Sequence, residues 1–298
     1  MADVTVSFII VNFRTPDLVL HCIASIREHT NTQSYEVIVI DNASGDDSAE
    51  KLASVPGVTL VANAKNVGFG AANNQGAKVA HGRYLFFLNS DTLLLCDAAD
   101  RFVPFMDRPD NAHVGCCGGD LLDEKMEKQA SYGNFPSLMG IIFEIGLHRF
   151  FRRKFKEEFS IGVKNERSQE RAVDYVSGAD MFVRRELFDK LGGFDADFFL
   201  YFEETEFAYR MKKAGYLSML LPAVQIVHLE GASHQTRALM SLVKAKYFES
   251  SRLKFFRKTK GAATALSVKV LLATQALVRA CWHRDRYYLK LFRILVKS

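Results

Sequence analysis

The chain has 298 residues, of which 48% are hydrophobic and 24% charged, a composition that argues against disorder and allows one large domain or a domain with an appendage. Its five cysteines are odd in number and show no CxxC spacing, which argues against a disulfide framework or a zinc site and favours a reducing compartment. The net charge of +5 is unevenly spread: residues 237–298 carry 15 Lys/Arg against 2 Asp/Glu, whereas the rest carries 24 against 32. The chain is therefore an acidic body with a basic tail.

The first ninety residues alternate between strand and helix patterns. Apolar runs at 4–11, 36–40, 58–61 and 84–88 predict four strands, and the near-continuous run at 4–11 is typical of a strand covered on both faces. Thr15 and Pro16 predict the start of the first intervening helix, and "GFGAANNQG" predicts a loop that passes into another. This alternation predicts an α/β fold with a mainly parallel sheet flanked by helices.

The later part of the chain is less regular. "VGCCGG" predicts a further strand, residues 125–171 are interpreted as a variable excursion over the sheet, and "EETEFAYRMKKAG" predicts a helix that ends at Gly215. The N-terminus lacks the basic and apolar regions of a signal peptide, and no window of roughly 18 uncharged apolar residues predicts a membrane-spanning helix.

Polar side chains follow each of the first four predicted strands. Asn12 and Arg14 follow the first, Asp41 the second, Asn66 the third, and Asn89 with Asp91 the fourth. A single Asp or Asn after a strand is more often a turn residue, but ligands bind where the carboxyl ends of parallel strands meet. Four such ends in succession therefore favour a binding site.

Two common nucleotide-binding motifs are absent from the sequence. "GFGAAN" lacks the third glycine of GxGxxG and does not follow the first strand, and there is no GxxxxGK[ST]. A carboxylate such as Asp91 instead suits a divalent cation that also binds a diphosphate. The alternative is that Asn89, Ser90 and Asp91 form a turn that caps the next helix.

A second group of candidates lies in "YFEETEFAYRMKKAG". Glu203, Glu204 and Glu206 fall within the first turn of the predicted helix, where the helix dipole alone favours carboxylates. An acid beside an apolar wall is also suited to act as a general base. His228 closes a later strand, and a lone histidine is more often structural than a ligand.

Seven stretches together carry a family resemblance. They are "VSFIIVNFR", "VIVIDNASGDDS", "NVGFGAANNQG", "LFFLNSDT", "SGADMFVRRELFDKLGGFD", "FFLYFEETEFAYRMKKAGY" and "VHLEGAS". In this order they resemble a family-2 glycosyltransferase of the GT-A fold, from the rhamnosyltransferase-like subgroup of bacterial cell-surface polysaccharide synthesis. The resemblance implies a GT-A catalytic domain over 1–235, with a donor half at about 1–123 and an acceptor half at about 124–235. A basic helical tail follows over 236–298.

The resemblance also implies roles for individual residues. Asn89-Ser90-Asp91 stands where the family has its DxD motif, so Asp91, with His228, would hold Mg²⁺ or Mn²⁺. Glu204 would be the general base, although the family usually has Asp there and the adjacent Glu203 is the alternative. Asp180 and Tyr201 would lie on the acceptor side. The donor-binding residues would be Asn12, Arg14, Asp41, Asn66, Gly68, Asn73, Asn89, Ser90, Gly178 and Ala179.

The implied activity is a metal-dependent, inverting transfer of L-rhamnose from dTDP-rhamnose to a lipid-linked or growing cell-surface glycan. A UDP-hexose or UDP-N-acetylhexosamine donor is the alternative within enzymes. A non-catalytic nucleotide-sugar-binding assembly partner is the alternative outside them. A homodimer is compatible with the sequence, as is a monomer.

The basic tail interleaves Lys and Arg with large apolar residues. At helical spacing its bases, from Arg279 to Lys297, fall on one arc, and Leu266, Val270, Ala273, Leu277 and Cys281 fall on another. Such helices suit an anionic membrane surface, which predicts a cytoplasmic, peripheral protein on the inner face of the cell membrane. Helices packed on the catalytic body, with a solvated basic face, are the alternative. Nucleic acid binding is not expected, because no recognised motif accompanies the charge.

Overall fold

The computed structural model describes residues 4–146, 158–229, 237–283 and 286–297. These residues divide into two compact units. The first comprises Met1–Gly133, Gly162–Ala196 and Glu203–Ser233, and the second comprises Asn134–Ile161, Asp197–Phe202 and His234–Ser298. The domain boundary predicted near residue 235 lies outside the described residues and stays a prediction.

The first unit begins with the four predicted parallel strands. They are β1 (Val6–Asn12), β2 (Tyr35–Asp41), β3 (Val58–Ala62) and β4 (Tyr84–Asn89). The intervening helices are α1 (Pro16–His29), α2 (Ser48–Ala53) and α3 (Phe69–Val79). The strands lie side by side in the order β3-β2-β1-β4, so the carboxyl ends that carry the polar residues meet at one edge.

The chain from residue 92 to residue 228 completes the sheet. In order, its elements are β5 (Thr92–Leu94), α4 (Ala98–Asp107), β6 (Val114–Leu122), β7 (Ala130–Gly133), α5 (Leu138–Ile145), β8 (Val163–Lys164), β9 (Arg171–Val173), β10 (Tyr175–Val176), β11 (Asp180–Arg184), α6 (Arg185–Lys190), α7 (Glu203–Lys213) and β12 (Leu217–His228). The sheet continues from β4 as β11-β6-β12-β5, with β11 antiparallel to β4. Because β12 pairs with β5 in the register His228 to Thr92, its end lies beside the segment that follows β4.

Both faces of the sheet are covered, as the continuous apolar runs predict. Alternate residues of β1 belong to two different core clusters: Phe8 and Ile10 pack on one side, and Ile9 and Val11 on the other. The two layers fix the position of each strand end, and with it the side chains at the sheet edge.

The interpretation of residues 125–171 as an irregular excursion is only partly right. This part of the chain contains α5 and two strands, and β7 pairs with β8 and β10 in a small antiparallel sheet. Strands of two to four residues are too short to show a period in the sequence. Residues 147–157 of this stretch lie outside the described part of the chain.

The second unit is helical. Together with α5 it contains α8 (Arg237–Lys260), α9 (Ala262–His283) and α10 (Arg286–Lys297). Its core cluster includes Ile141, Phe256, Leu272 and Leu295. Arg252 is 2% exposed and forms ion pairs with Glu249 at 2.6 Å and Glu144 at 2.9 Å, so a buried cation is held by two carboxylates.

Two expectations about the tail need correction. The bases from Arg279 to Lys297 do not share one helical face, because α9 ends at His283 and α10 begins at Arg286. In addition, Ala262–Trp282 is long and apolar enough, by length and composition, to cross a membrane. The sequence expectation required an uncharged window, and this one contains two bases, Lys269 and Arg279.

Candidate active site

The ends of β1 and β2 are joined by a buried polar network. Nδ2 of Asn12 donates to Oδ1 of Asp41 at 2.7 Å, and the hydroxyl of Ser44 donates to the same oxygen at 2.5 Å. The Ser44 hydroxyl also accepts the backbone N–H of Arg14 at 2.9 Å. Asn12, Asp41 and Ser44 are all at most 4% exposed. The network therefore fixes the loops after both strands, and Arg14 is left exposed above them.

A second network of amides follows β2 and β3. Nδ2 of Asn42 donates to Oδ1 of Asn66 at 3.0 Å, and Asn63 donates to the Asn42 amide oxygen at 3.1 Å. The same Asn66 oxygen accepts the backbone N–H of Gly68 at 2.9 Å. Gly68 has a φ of +90° immediately before α3, a conformation that favours glycine. Asn66 thus shapes the entry into this helix.

Asn73 lies on α3 and is fully buried. Its Nδ2 donates to the Phe69 carbonyl at 3.2 Å, but its amide oxygen has no hydrogen-bond partner among the described residues. A buried acceptor without a partner costs free energy unless a ligand or water supplies the donor.

Asn89, Ser90 and Asp91 lie at the end of β4, as predicted. Nδ2 of Asn89 is 3.2 Å from Nε2 of His228, and Oδ1 of Asp91 is 3.4 Å from the same nitrogen. The Ser90 hydroxyl accepts a hydrogen bond from Thr15 at 3.2 Å. The pairing of β12 with β5 is what brings His228 to this triplet.

The donor set fits a divalent cation that also binds a diphosphate. Mg²⁺ and Mn²⁺ sites in such enzymes commonly use one or two carboxylates, with phosphate oxygens and waters completing the coordination. Asp91 supplies a carboxylate and His228 an imidazole, with their side chains 11% and 15% exposed. The described residues contain no cluster of three His, Cys, Asp or Glu side chains that could hold a metal ion. A cation at Asp91 and His228 would therefore need diphosphate oxygens or waters to complete its coordination.

Gly178 and Ala179 connect this triplet to α7. The Ala179 carbonyl accepts the backbone N–H of Asn89 at 3.1 Å. A methyl group added to Gly178 would lie 3.3 Å from Cγ of Glu204, so this glycine allows a close approach. The end of β4 and the start of α7 are thus linked by two adjacent residues, Ala179 beside Asn89 and Gly178 beside Glu204.

Asp180 follows directly and is fully buried. Its Oδ2 accepts the backbone N–H of Gly119 at 2.5 Å, and its Oδ1 has no partner among the described residues. Burial raises the pKa of Asp180 well above its usual range, and the nearby negative charge of Asp120 raises it further. The pKa favours a neutral carboxyl at this position.

The three glutamates of α7 have different surroundings. Glu206 forms an ion pair with Arg210 at 2.8 Å, which gives this carboxylate a structural role. Glu203 is 3% exposed, packs against Gly70, and has one carboxylate oxygen without a partner. Glu204 is half-buried beside Gly178 and accepts the Thr205 hydroxyl at 2.9 Å.

The two adjacent carboxyls share raised pKa values. Burial raises the pKa of Glu203 well above its usual range, and the charge of Glu204 raises it further. Burial also raises the pKa of Glu204. The pKa of Glu203 is raised the further of the two, because Glu203 is more deeply buried and lies beside the charge of Glu204. The pair can therefore present one carboxylate, that of Glu204, with a raised proton affinity.

Tyr201 belongs to the second unit, where its ring lies 5.8 Å from that of Phe248. Its φ of +69° and that of Phe202, +70°, are unusual for aromatic residues. Such conformations persist only where the surroundings hold them, and they concentrate at functional segments.

Sequence reasoning missed Ser44 and Thr15 as members of the polar networks. Ser44 is placed by Ala43, whose φ of +60° turns the chain back toward Asp41. The only signal in the sequence is the spacing of a serine three residues after an aspartate, which is common in turns. Thr15 was interpreted only as a helix cap, yet its side chain makes no capping hydrogen bond and contacts Ser90 instead.

Comparisons with known proteins identify the family and the fold. The family model described as Glycosyl transferase family 2 matches residues 7–192. N-acetylglucosaminyl-diphospho-decaprenol L-rhamnosyltransferase of Mycobacterium tuberculosis is 27% identical over 213 residues, which cover 64% of this chain and 66% of that protein. Rhamnosyltransferase WbbL of Escherichia coli is 24% identical over 224 residues, which cover 72% of this chain and 79% of that protein.

Solved structures resemble the fold at 16% identity. They include GalNAc-T7 with UDP, GalNAc and Mn²⁺, with a TM-score of 0.59 over 86% of this chain and 48% of that one. They also include the mannosyltransferase PcManGT from Pyrobaculum calidifontis with GDP-Man and Mn²⁺, with a TM-score of 0.54 over 98% of this chain and 84% of that one. The predicted GT-A fold is confirmed, and the predicted family resemblance with it. The chain belongs to glycosyltransferase family 2.

Proposed function

We propose that this glycosyltransferase is an inverting, metal-dependent enzyme that moves L-rhamnose from dTDP-rhamnose to a lipid-linked or growing cell-surface glycan. Two relatives named as rhamnosyltransferases support the sugar. The observation that carries the reaction is the Gly178–Ala179 segment, which contacts Asn89 on one side and Glu204 on the other. Asp91, as the proposed cation ligand, and Glu204, as the proposed base, would thereby lie at one sheet edge.

The nucleotide half of the donor would bind over the ends of β1 to β3. Asn12 and Asp41 would contact the base, and the exposed guanidinium of Arg14 would approach the diphosphate. Asn66 and Gly68 would line the pocket. The amide oxygen of Asn73 on α3, which has no partner among the described residues, would accept a hydrogen bond from the donor. Ser90, Gly178 and Ala179 would complete the donor side, with Asp180 toward the acceptor. The acceptor-side role of Tyr201 stays a prediction from the sequence.

The chemical step would be one displacement at the anomeric carbon. Glu204 would take the proton of an acceptor hydroxyl while that oxygen attacks the carbon opposite the leaving diphosphate, so that one glycosidic bond forms as the bond to the diphosphate breaks. The raised pKa of Glu204 makes it a stronger base than an ordinary carboxylate. Asp91 and His228 would hold Mg²⁺ or Mn²⁺, which when bound offsets negative charge on the diphosphate.

Two other functions remain distinguishable from this one. A UDP-hexose or UDP-N-acetylhexosamine donor would use the same carboxylates with a different sugar pocket. A non-catalytic member would bind a nucleotide sugar and serve as an assembly partner. The separate environments of Glu203 and Glu204 favour catalysis over binding alone. A half-buried carboxylate with a raised pKa is suited to accept a proton, whereas binding a nucleotide sugar does not require one.

The lipid-linked acceptor would place the enzyme at the inner face of the cell membrane, as a peripheral cytoplasmic protein with its basic tail toward the lipid. The name of the relative from M. tuberculosis includes a diphospho-decaprenol-linked sugar, which supports this acceptor class. Homodimer formation is compatible with the proposal and is not required by it.

The test is donor consumption across a panel of dTDP- and UDP-sugars, first with Mg²⁺ or Mn²⁺ and then with EDTA. Metal-dependent release of dTDP from dTDP-rhamnose alone would support the proposal in full. Release from a UDP-sugar alone would refute the rhamnose assignment and keep the mechanism. Donor binding without turnover in the presence of lipid-linked acceptors would favour the non-catalytic alternative.

A further inference from the structure

Helix α9 exposes a side that carries no charge. From Ala262 to Trp282 no charged side chain is fully exposed, and the two bases of this stretch, Lys269 and Arg279, are half-buried. The large side chains on this side are 61%, 55%, 41%, 57% and 83% exposed, and together they form the α9 apolar face: Leu266, Val270, Leu277, Val278 and Trp282. At about 100° per residue they fall within roughly half of the helix circumference.

The opposite side of α9 is the one that packs inside the second unit. Val268, Leu272 and Ala276 are buried in its core cluster. The α9 apolar face is therefore additional to the side that folding buries. A helix of a water-soluble protein normally turns polar residues outward, and a contiguous exposed apolar surface marks an interaction site.

Charge indicates what covers this face. Helices α9 and α10 contain six Lys/Arg and no Asp/Glu. On α10 the exposed bases recur at helical spacing, at Arg286, Lys290, Arg293 and Lys297. Two copies of such a surface would repel each other, whereas an anionic lipid surface would attract it. An exposed tryptophan at one end of the apolar face also suits the boundary between headgroups and acyl chains.

We propose that the α9 apolar face docks in the plane of an anionic lipid bilayer, with its side chains among the acyl chains and the bases of α9 and α10 at the headgroups. The helix would lie along the surface, because its other side is packed in the core of the unit. This inference names the surface for the membrane contact suggested above. It does not depend on sugar transfer, since lipid binding needs neither donor nor acceptor.

Trp282 provides a direct readout, because it is the only tryptophan in the chain. The intact protein is mixed with phosphatidylcholine vesicles that contain or lack phosphatidylglycerol, without nucleotide sugar. Docking predicts a blue shift of Trp282 emission, quenching by lipids brominated on the acyl chain, and co-sedimentation with the anionic vesicles. Added salt should weaken binding to the anionic vesicles, because it screens the headgroup attraction.

A pair of neutral variants separates the apolar face from net charge. Leu266→Gln with Val270→Gln removes two apolar side chains, keeps the helix propensity, and should weaken vesicle binding about tenfold or more. The matched control is Val79→Gln with Met126→Gln, which alters two exposed apolar residues of the first unit and should leave binding unchanged. Circular dichroism of both variants checks that the helices remain folded.

Three results would overturn the proposal. The first is a Trp282 blue shift that appears with rising protein concentration and without vesicles, which would assign the face to a second copy. The second is equal binding by the Leu266/Val270 variant and its control. The third is membrane-bound protein that resists extraction by alkaline carbonate, which would indicate a spanning helix.

Discussion

Oδ1 of Asp91 lies 3.4 Å from Nε2 of His228, at the meeting point of two segments that are far apart in the sequence. The contact exists because β12 pairs with β5, the strand that directly follows Asp91. Neither residue is partnered by a third acid or imidazole within the described parts of the chain. The pair is therefore sensitive to the loss of either member.

Replacing His228 with Ala should lower metal-stimulated donor turnover by roughly 10²-fold, the size associated with losing one charge-stabilising group in an active site. Asp91→Asn should have at least the same effect, and excess Mn²⁺ should recover part of the activity in both. Turnover measured against Mn²⁺ concentration is the readout. His81→Ala is the matched control, because His81 is exposed and contacts Glu36 in the same unit. Equal loss in this control would show a general effect of histidine removal.

The three glutamates of α7 allow the general base to be identified. Glu204→Gln should lower turnover by about 10²–10⁴-fold and leave donor binding nearly intact. Glu203→Gln should retain most turnover and the same acidic limb of the pH profile, because glutamine resembles the protonated form that Glu203 keeps. Steady-state rates across pH provide the comparison, with Glu206→Gln as a third member of the same turn. If Glu203→Gln is the inactive variant, the roles of the two acids are exchanged.

Glu203 should also make stability dependent on pH. Its pKa is raised in the folded protein, so above the unfolded pKa near 4.3 the unfolded chain releases a proton that the folded chain keeps. Folding is therefore penalised as pH rises from the unfolded pKa toward the folded one. Glu203→Gln removes this penalty, so its melting temperature should exceed that of the parent at neutral pH and equal it near pH 4. Thermal unfolding at several pH values tests this, and an unchanged difference across pH would contradict it.

Ser44 should matter to both stability and nucleotide affinity. Ser44→Ala removes hydrogen bonds to Asp41, Asn12 and the Arg14 backbone, and leaves buried polar groups unpaired at about 1–3 kcal/mol. We expect weaker binding of the free nucleotide by calorimetry, together with a lower free energy of unfolding. Ser54→Ala is the control, since its exposed hydroxyl contacts only the Lys51 carbonyl at the end of α2. Unchanged affinity in a folded Ser44→Ala protein would remove this network from the donor site.

Arg252 should be the most costly single position in the helical unit. Arg252→Met leaves the Glu249 carboxylate buried without its cation, a change that typically costs about 3–5 kcal/mol. Lys258→Met, which breaks the more exposed pair with Asp197, should cost at most about 1 kcal/mol. Denaturant unfolding followed by far-ultraviolet circular dichroism, to which the long helices of this unit contribute, is the measurement. Similar losses in the two variants would show that the buried network adds little.

The strand ends were predictable because burial on both faces gives continuous apolar runs, and the first polar residue after each run marks the edge. Asn12, Asp41 and Asn89 follow from this pattern alone, and Asp91 comes two residues after Asn89. Ser44 does not, because its position depends on the left-handed backbone of Ala43 rather than on a period.

The roles of Glu203 and Glu204 were also beyond sequence reasoning. Adjacent residues on a helix point about 100° apart, so spacing cannot tell which one enters a pocket. The structure gives them different neighbours, with Glu203 beside Gly70 and Glu204 beside Gly178, and their roles stay a prediction. In the tail, periodicity identified the apolar arc of α9, but only the packed core shows that another side of the helix is the buried one.

The position of β12 between β6 and β5 has a consequence for the order in which the protein becomes competent. The strands over whose ends the nucleotide would bind, β1 to β3, are finished by residue 62, and proteins fold progressively as they leave the ribosome. Glu203, Glu204 and His228 are synthesised much later, and β12 must then enter between two strands made earlier. The proposed cation site, which needs His228 at the end of β12, is therefore expected to form last, after both of its flanking strands.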